Sequence, residues 1–164
     1  MYTARGQIAS FLLNNQLKLA TAESCTGGMI AAACTDLAGS SAWFERGFVT
    51  YSNEAKTQML GVTASLITQH GAVSEEVVRA MVQGAIAHSR AQVAVAVTGV
   101  AGPEGGSAAK PVGTVWFGFA TPAGVVTEMQ RFAGDRADVR AATVQHALQR
   151  LLALLSSLSV QPKP

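Results

Sequence analysis

The chain has 164 residues, of which 49% are hydrophobic and only 13% charged, a composition that builds a packed core and argues against intrinsic disorder. Its net charge of +2 comes from scattered basic residues, which gives no electrostatic footprint for duplex nucleic acid but leaves a small anionic ligand open. Apolar runs such as 151–155 fall far short of the roughly 20 residues of a membrane span, and the first residues lack the order of a signal peptide. We therefore expect a cytoplasmic protein with no nucleic-acid or membrane partner.

The two cysteines, Cys25 and Cys34, do not have the spacing of a disulfide. On one helix they would lie on opposite sides and about 13 Å apart along the axis, which is too far to bridge. No cluster of cysteine and histidine has zinc-ligand spacing, and no acidic pair suggests another metal. We expect free thiols in a reducing compartment, no metal and no cofactor.

Hydrophobic periodicity divides the first half of the chain into alternating helices and strands. Polar residues such as Asn53 and Ser74 stand where helix N-caps are expected, and Gly61 ends one helix. In chain order the predicted elements are a helix over 4–16, a strand over 17–22, a buried helix over 27–37, a strand over 44–52, and helices over 53–60, 63–69 and 74–86.

The second half begins with a nearly continuous apolar strand at 92–97, the pattern of a strand covered on both faces. A glycine-rich loop follows, and then two strands joined by a hairpin signal, a helix that opens at Asp135, and a tail from Ser156 that we expect to fray. The two strands are predicted at 113–120 and 125–132. These elements predict one domain over 1–164, with 157–164 as its frayed tail, and a three-layer α/β/α fold whose mixed sheet is covered by helices on both faces.

Ser24 lies between a predicted strand and a predicted helix, a place where a side chain is exposed at the edge of a sheet. Free N–H groups at the start of a helix can stabilise an oxyanion, and Gly27 and Gly28 let a ligand approach the backbone. Ser24 could equally be an ordinary N-cap, and Cys25 is a rival nucleophile if its thiol has a low pKa.

Lys56 falls in the first turn of the helix that Asn53 is predicted to cap. A cation there opposes the helix dipole, and the positive potential together with partial burial would lower the lysine pKa toward that of a general base. Tyr51, at the end of the preceding strand, could reach the same pocket. The alternative is a solvated surface lysine.

The loop at 98–106 has four glycines and follows a buried strand, where ligands of open α/β sheets gather. Glycine-rich backbone can bind phosphate, but the spacing matches neither a P-loop nor a dinucleotide-binding fingerprint. The alternative is an ordinary flexible loop. Among the histidines, His70 stays open as a partner of Ser24, although its spacing does not favour a triad.

Six segments resemble, together and in the same order, the C-terminal domain of the CinA family. The match runs from about Leu17 to Arg136. The segments are TAESCTGG at 21–28, GSS at 39–41, FVTYSNEAK at 48–56, HGAVS at 70–74, TGVAGPEGG at 98–106 and KPVGTV at 110–115.

The family includes stand-alone bacterial nicotinamide-nucleotide amidases. The resemblance therefore implies hydrolysis of nicotinamide mononucleotide to nicotinate mononucleotide and ammonia in pyridine-nucleotide recycling, with no metal and commonly in a homo-oligomer. Related proteins carry an extra N-terminal domain. In this chain the amidase motif lies close to the first residue, so we expect no such domain.

Carried over by residue, the resemblance implies that Ser24 is the nucleophile, Lys56 the base that activates it and Tyr51 an accessory group. The expected contacts to the substrate's phosphate and ribose are Thr26, Gly27, Gly28, Thr98, Gly99, Gly102, Gly105, Gly106 and Arg136. Two alternatives stay open: a non-catalytic nucleotide sensor, and a competence-related interaction module that uses an exposed apolar patch on the last helix.

Overall fold

A computed structural model describes residues 3–158, which form a five-stranded sheet between two layers of helices. The strands are β1 Leu19–Glu23, β2 Phe44–Val49, β3 Val93–Gly99, β4 Thr114–Thr121 and β5 Gly124–Arg131. The helices are α1 Ala4–Asn14, α2 Met29–Thr35, α3 Asn53–Leu60, α4 Ala64–His70, α5 Glu75–Ala87 and α6 Arg136–Leu158, with a short 3₁₀ helix at Ser40–Ala42.

The strand order is β2-β1-β3-β4-β5, with β2, β1 and β3 parallel and β4 and β5 antiparallel to their neighbours. The predicted three-layer fold with a mixed sheet is confirmed. After β1 the chain enters α2 on one face, whereas after β2 it passes through α3, α4 and α5 on the other. Because the two connections leave in opposite directions, a crevice opens beyond the carboxyl ends of β1 and β3, where open α/β sheets bind ligands.

Strict alternation along β3 divides the interior into two cores. Val93, Val95 and Val97 pack with α1, α2 and α6, whereas Ala94 and Ala96 face α5 and its neighbours. The small side chains on the second face allow α5 to lie close to the sheet, and a Cβ at Gly118 would come within 3.0 Å of the α5 backbone. Large side chains therefore cover one face of the sheet, whereas on the other face the backbone of α5 packs close to the strands.

Several element boundaries differ from the prediction for local reasons. Ser52, not Asn53, caps α3, since its side chain accepts a hydrogen bond from the N–H of Ala55. Helix α2 starts at Met29 rather than at Gly27, because Gly27 and Gly28 adopt φ of +60° and +106°.

The last helix is longer than predicted. Helix α6 runs to Leu158, past the predicted start of fraying at Ser156, and the rest of the predicted tail lies outside the described residues. Leu151 and Leu155 are fully buried and hold this end of the helix on the core. Within residues 3–158, no helix has the combination of length and apolarity needed to cross a bilayer.

We expect Gly84→Ala to destabilise the protein by about 1–3 kcal/mol, because the added methyl in α5 would overlap the backbone carbonyl of Leu60 in α3. Gly6→Ala in α1 is the matched control, since its added methyl would lie 3.4 Å from the Thr3 hydroxyl. Urea unfolding measures both variants. If the Gly84→Ala protein were as stable as the Gly6→Ala protein, α3 and α5 would not pack closely enough to exclude a methyl group.

Candidate active site

A cavity of about 270 Å³ opens where the three parallel strands end. Ser24 follows β1, Tyr51 follows β2 and Thr98 lies near the end of β3, so the cavity occupies the crevice created by the topology. The structure brings the predicted Ser24, Tyr51 and Lys56 together here. The lining residues are Ser24, Cys25, Tyr51, Asn53, Lys56, Ala72, Val73, Thr98, Gly99, Ala101 and Arg136.

Ser24 begins a tight turn over residues 24–28, which we call the elbow, between β1 and α2. The Ser24 N–H donates to the carbonyl of Val97 on β3, and the Gly27 N–H donates back to the carbonyl of Ser24. Only 8% of Ser24 is exposed. The serine is therefore fixed to the sheet, and its side chain lies in the cavity.

The buried carboxylate of Glu23 organises the elbow from inside. Its two oxygens accept hydrogen bonds from the N–H groups of Ile30 and Ala31, at 2.7 and 3.0 Å, and from the hydroxyl of Thr26, at 2.6 Å. An anion at the start of a helix satisfies free N–H groups and favours the helix dipole. Glu23 thus occupies the N-terminus of α2, which the sequence suggested as the oxyanion site.

This arrangement changes the role expected for Thr26. Its hydroxyl is fully buried and donates to Glu23, and Thr26 is not among the residues that line the cavity. Thr26 therefore stabilises the elbow through its side chain, and its predicted contact with the substrate stays a prediction. The sequence does contain a signal for this internal cap. Glu23 is a carboxylate at the end of a strand, and it lies seven residues before Ile30, the second residue of α2.

Lys56 is buried, with only 1% of its surface exposed, although it lies in the first turns of α3. Its Nζ is 3.1 Å from Oγ of Ser24, 3.0 Å from the carbonyl oxygen of Thr50 and 3.2 Å from that of Tyr51. Among the described residues no carboxylate lies within ion-pair distance of this amine. The surface-lysine alternative is thereby excluded.

A charged Lys56 can donate all three of these hydrogen bonds, whereas the neutral amine uses the same three partners differently. Two N–H groups can donate to the carbonyls of Thr50 and Tyr51, which leaves the nitrogen lone pair to accept from the hydroxyl of Ser24. Burial without a counter-ion lowers the pKa of Lys56 below its usual value. The sequence predicted this direction, but desolvation rather than the helix dipole is the main cause.

Cys25 is a poor nucleophile despite its place next to Ser24. Its side chain packs in the core formed with α1, α2 and α6, and burial raises the pKa of its thiol to about 11. The thiol is therefore protonated near neutral pH and unreactive. Cys34 is also buried, and both thiols are free.

Tyr51 contributes to the site in two separate ways. Its carbonyl accepts a hydrogen bond from Lys56, whereas the residue as a whole is 62% exposed and lines the cavity. The phenol oxygen lies 3.3 Å from Nη2 of Arg136, so its partner is this arginine and not Ser24. Tyr51 is thus an accessory residue of the site through its backbone and through its exposed ring.

The glycine-rich loop contributes only its first part to the cavity. Thr98 and Gly99 line the floor, and the carbonyl of Gly102 accepts a hydrogen bond of 2.9 Å from Arg136. Gly105 and Gly106 have φ near +80°, which shapes the loop, but they lie outside the cavity lining. Gly27 and Gly28 are likewise absent from the lining, so the structure gives these four glycines a conformational role.

One wall of the cavity is apolar and was not predicted. Ala72 and Val73, which connect α4 to α5, face the cavity. Thr98 donates its hydroxyl proton to the carbonyl of Ala72, and Lys110 donates to the carbonyl of His70. The HGAVS segment was recognised in the sequence, but nothing in its residue types indicated a wall.

A second, larger cavity of about 640 Å³ adjoins the first and shares Ala101 and Arg136 with it. The first turns of α6 line it, including Arg140, which is one turn after Arg136 on the same face. Arg140 was missed, although its i+4 spacing from Arg136 could have indicated it. His70, by contrast, lies 3.6 Å from Glu76 and outside the lining of the first cavity, so the structure does not bring it to Ser24.

Comparison with known proteins identifies the family of this chain. The model of the CinA C-terminal domain matches residues 2–155. The nicotinamide-nucleotide amidohydrolase PncC of Escherichia coli (strain K12) is 56% identical over 88% of each chain, and PncC of Pseudomonas putida is 55% identical over 93% of this chain and 95% of that one. The crystal structure of the competence/damage inducible protein CihA from Agrobacterium tumefaciens superposes with a TM-score of 0.89 at 48% identity, covering 92% and 93% of the two chains. This chain belongs to the CinA C-terminal domain family.

Proposed function

We propose that the chain is a nicotinamide-nucleotide amidohydrolase that converts nicotinamide mononucleotide to nicotinate mononucleotide and ammonia. One observation carries the proposal: a buried amine without a counter-ion contacts a serine on a strand-to-helix elbow. Serine with a neutral lysine as base is a known solution for cleaving amides. Similarity to proteins named for this reaction indicates the amide.

In the first half of the reaction, Ser24 Oγ attacks the carboxamide carbon while its proton moves to Nζ of Lys56. The tetrahedral intermediate then collapses, its carbon–nitrogen bond breaks, and the Lys56 ammonium protonates the departing nitrogen to give ammonia. The product is a nicotinoyl ester on Ser24. Lys56 is neutral again and ready for the second half.

In the second half, a water molecule transfers a proton to Lys56 and attacks the ester carbon. The bond to Ser24 breaks, Lys56 returns the proton to Oγ, and nicotinate mononucleotide leaves. Each half needs an oxyanion donor, and Glu23 already occupies the N–H groups of Ile30 and Ala31. We assign the oxyanion to peptide N–H groups of the elbow that follow Ser24, the position used by serine hydrolases with a nucleophile elbow.

The two adjoining cavities fit the two ends of the substrate. The inner cavity is apolar at Ala72, Val73 and Ala101, which suits a flat pyridine ring whose amide points at Ser24. The outer cavity carries Arg136 and the start of α6, which suits the phosphate. The ribose then spans the opening, where Tyr51 and Gly99 lie.

We also propose that the reaction takes place in the cytoplasm. The substrate is a phosphate ester that does not cross a bilayer unaided, so its recycling belongs where pyridine nucleotides are used. The free thiols of Cys25 and Cys34 fit a reducing compartment.

Ser24→Ala and Lys56→Met are each expected to reduce ammonia release from nicotinamide mononucleotide by about 1,000-fold or more, because each removes one partner of the proton transfer. Ser65→Ala and Lys18→Met, at exposed positions, are the matched controls and should keep normal turnover. Coupled detection of ammonia measures all four proteins. Near-normal turnover in Ser24→Ala or Lys56→Met would refute the serine–lysine mechanism.

The value of kcat/KM should rise with pH until Lys56 is deprotonated, since only the neutral amine accepts the serine proton. Because burial lowers the pKa of Lys56, the midpoint of this rise should fall below the usual lysine value of 10.5. Lys56→Arg should be inactive across the whole pH range, since a guanidinium stays protonated. A flat profile, or an active Lys56→Arg protein, would contradict the assignment of Lys56 as the base.

Arg136→Met should lower kcat/KM for nicotinamide mononucleotide by about tenfold or more, since it removes a charged hydrogen bond to the phosphate. Nicotinamide riboside has no phosphate, so kcat/KM for this compound should change little. Steady-state kinetics gives, for each compound, the ratio of kcat/KM between the Arg136→Met variant and wild type. An equal loss with both would place the phosphate elsewhere.

A further inference from the structure

We propose that Arg140 is a positioning residue for the nucleophile: from outside the elbow, its guanidinium binds the two carbonyls that follow Ser24. Nε donates to the carbonyl of Cys25 at 3.1 Å, and Nη2 donates to that of Thr26 at 3.2 Å. Along the sequence, Arg140 is 115 residues from Cys25 and 114 residues from Thr26. The inference deepens the proposed function and rests on it.

Arg140 is held by a rigid element, as a positioning residue must be. It lies on the 23-residue helix α6, beside the fully buried Val139. One turn later, Thr143 is also fully buried and donates its hydroxyl proton to the carbonyl of Val139. A guanidinium that donates two hydrogen bonds from a rigid helix fixes the orientation of the peptide groups that it binds.

The contact also affects the peptide group that joins Cys25 to Thr26. In a trans peptide the N–H points opposite to the carbonyl, so the Thr26 N–H points away from the guanidinium that binds the Cys25 carbonyl. A cation on the carbonyl oxygen withdraws electron density and makes that N–H a stronger donor. Arg140 therefore fixes the position of Ser24 and strengthens a donor in the elbow.

Arg140 also borders the outer cavity, so the competing role is a contact with the substrate's phosphate. The two roles predict different kinetics. A phosphate contact affects only the phosphorylated substrate, whereas a positioning role affects every acyl substrate of Ser24. Loss of a positioning residue also lowers kcat more than it raises KM, because the nucleophile is displaced and the substrate is not.

The experiment compares Arg140→Met with wild type on nicotinamide mononucleotide and nicotinamide riboside. We expect kcat to fall by roughly 10- to 100-fold for both compounds, with KM within about threefold of wild type. Arg140→Lys, which keeps the charge but offers no fork, should lie between the two proteins. A loss confined to nicotinamide mononucleotide, or unchanged kcat, would overturn the inference.

Arg150→Met is the matched control, since Arg150 lies ten residues further along α6, about 15 Å away, and binds Glu128. It should keep wild-type kcat. Thermal unfolding is measured for each variant, and if Arg140→Met does not fold, Arg140→Lys carries the test. A folded Arg140→Lys protein with wild-type kcat would then overturn the inference.

A second readout does not depend on the amidase reaction. A small sulfonyl fluoride should modify Ser24, and mass spectrometry of the intact protein gives the rate. We expect this rate to fall about tenfold in Arg140→Met and to be unchanged in Arg150→Met. If wild type releases no ammonia but Arg140→Met still labels slowly, the proposed function fails and the positioning role stands; equal labelling rates would overturn the positioning role.

Discussion

The site depends on one electrostatic constraint, a buried amine that has no counter-ion among residues 3–158. Lys56 is held by two backbone carbonyls and a serine hydroxyl, partners that can satisfy a neutral amine but offset little of the cost of burying a charged one. A carboxylate in this position would stabilise the ammonium and remove the base. The topology meets the constraint because the carbonyls of residues 50 and 51, at the end of β2, lie beside the elbow that follows β1.

The elbow is held between opposite charges, which explains how a tight turn with two left-handed glycines stays in place. From the inside, Glu23 binds the Thr26 hydroxyl of the elbow and the N–H groups of Ile30 and Ala31 in α2. From the outside, Arg140 binds two carbonyls of the elbow. Each charged group contacts the end of the peptide dipole that it attracts. Ser24 lies between these two contacts and has little freedom to move.

The layers and the sheet type could be predicted from the sequence because periodicity and strand ends are local features. The pairing of Ser24 with Lys56 was implied by the family resemblance. The sequence did not predict which residues bind the elbow. Thr26 looked like a ligand contact because a hydroxyl beside two glycines fits either role, and only the fold shows that Glu23 uses it. Arg140 is more than 110 residues from its partners, so a local pattern carries no record of the contact.

The separation of charge across the two cavities has a chemical reason. A substrate phosphate beside Lys56 would attract a proton to the amine, raise its pKa and suppress the base. Both cations lie on α6: Arg136 lines the two cavities where they meet, and Arg140 lines only the outer one. Ala72 and Val73 form the apolar wall of the inner cavity. Under the proposed function, the anionic end of the substrate would bind at α6, while the amine would face the neutral carboxamide. An elongated substrate with its charge at one end and its amide at the other meets both requirements at once.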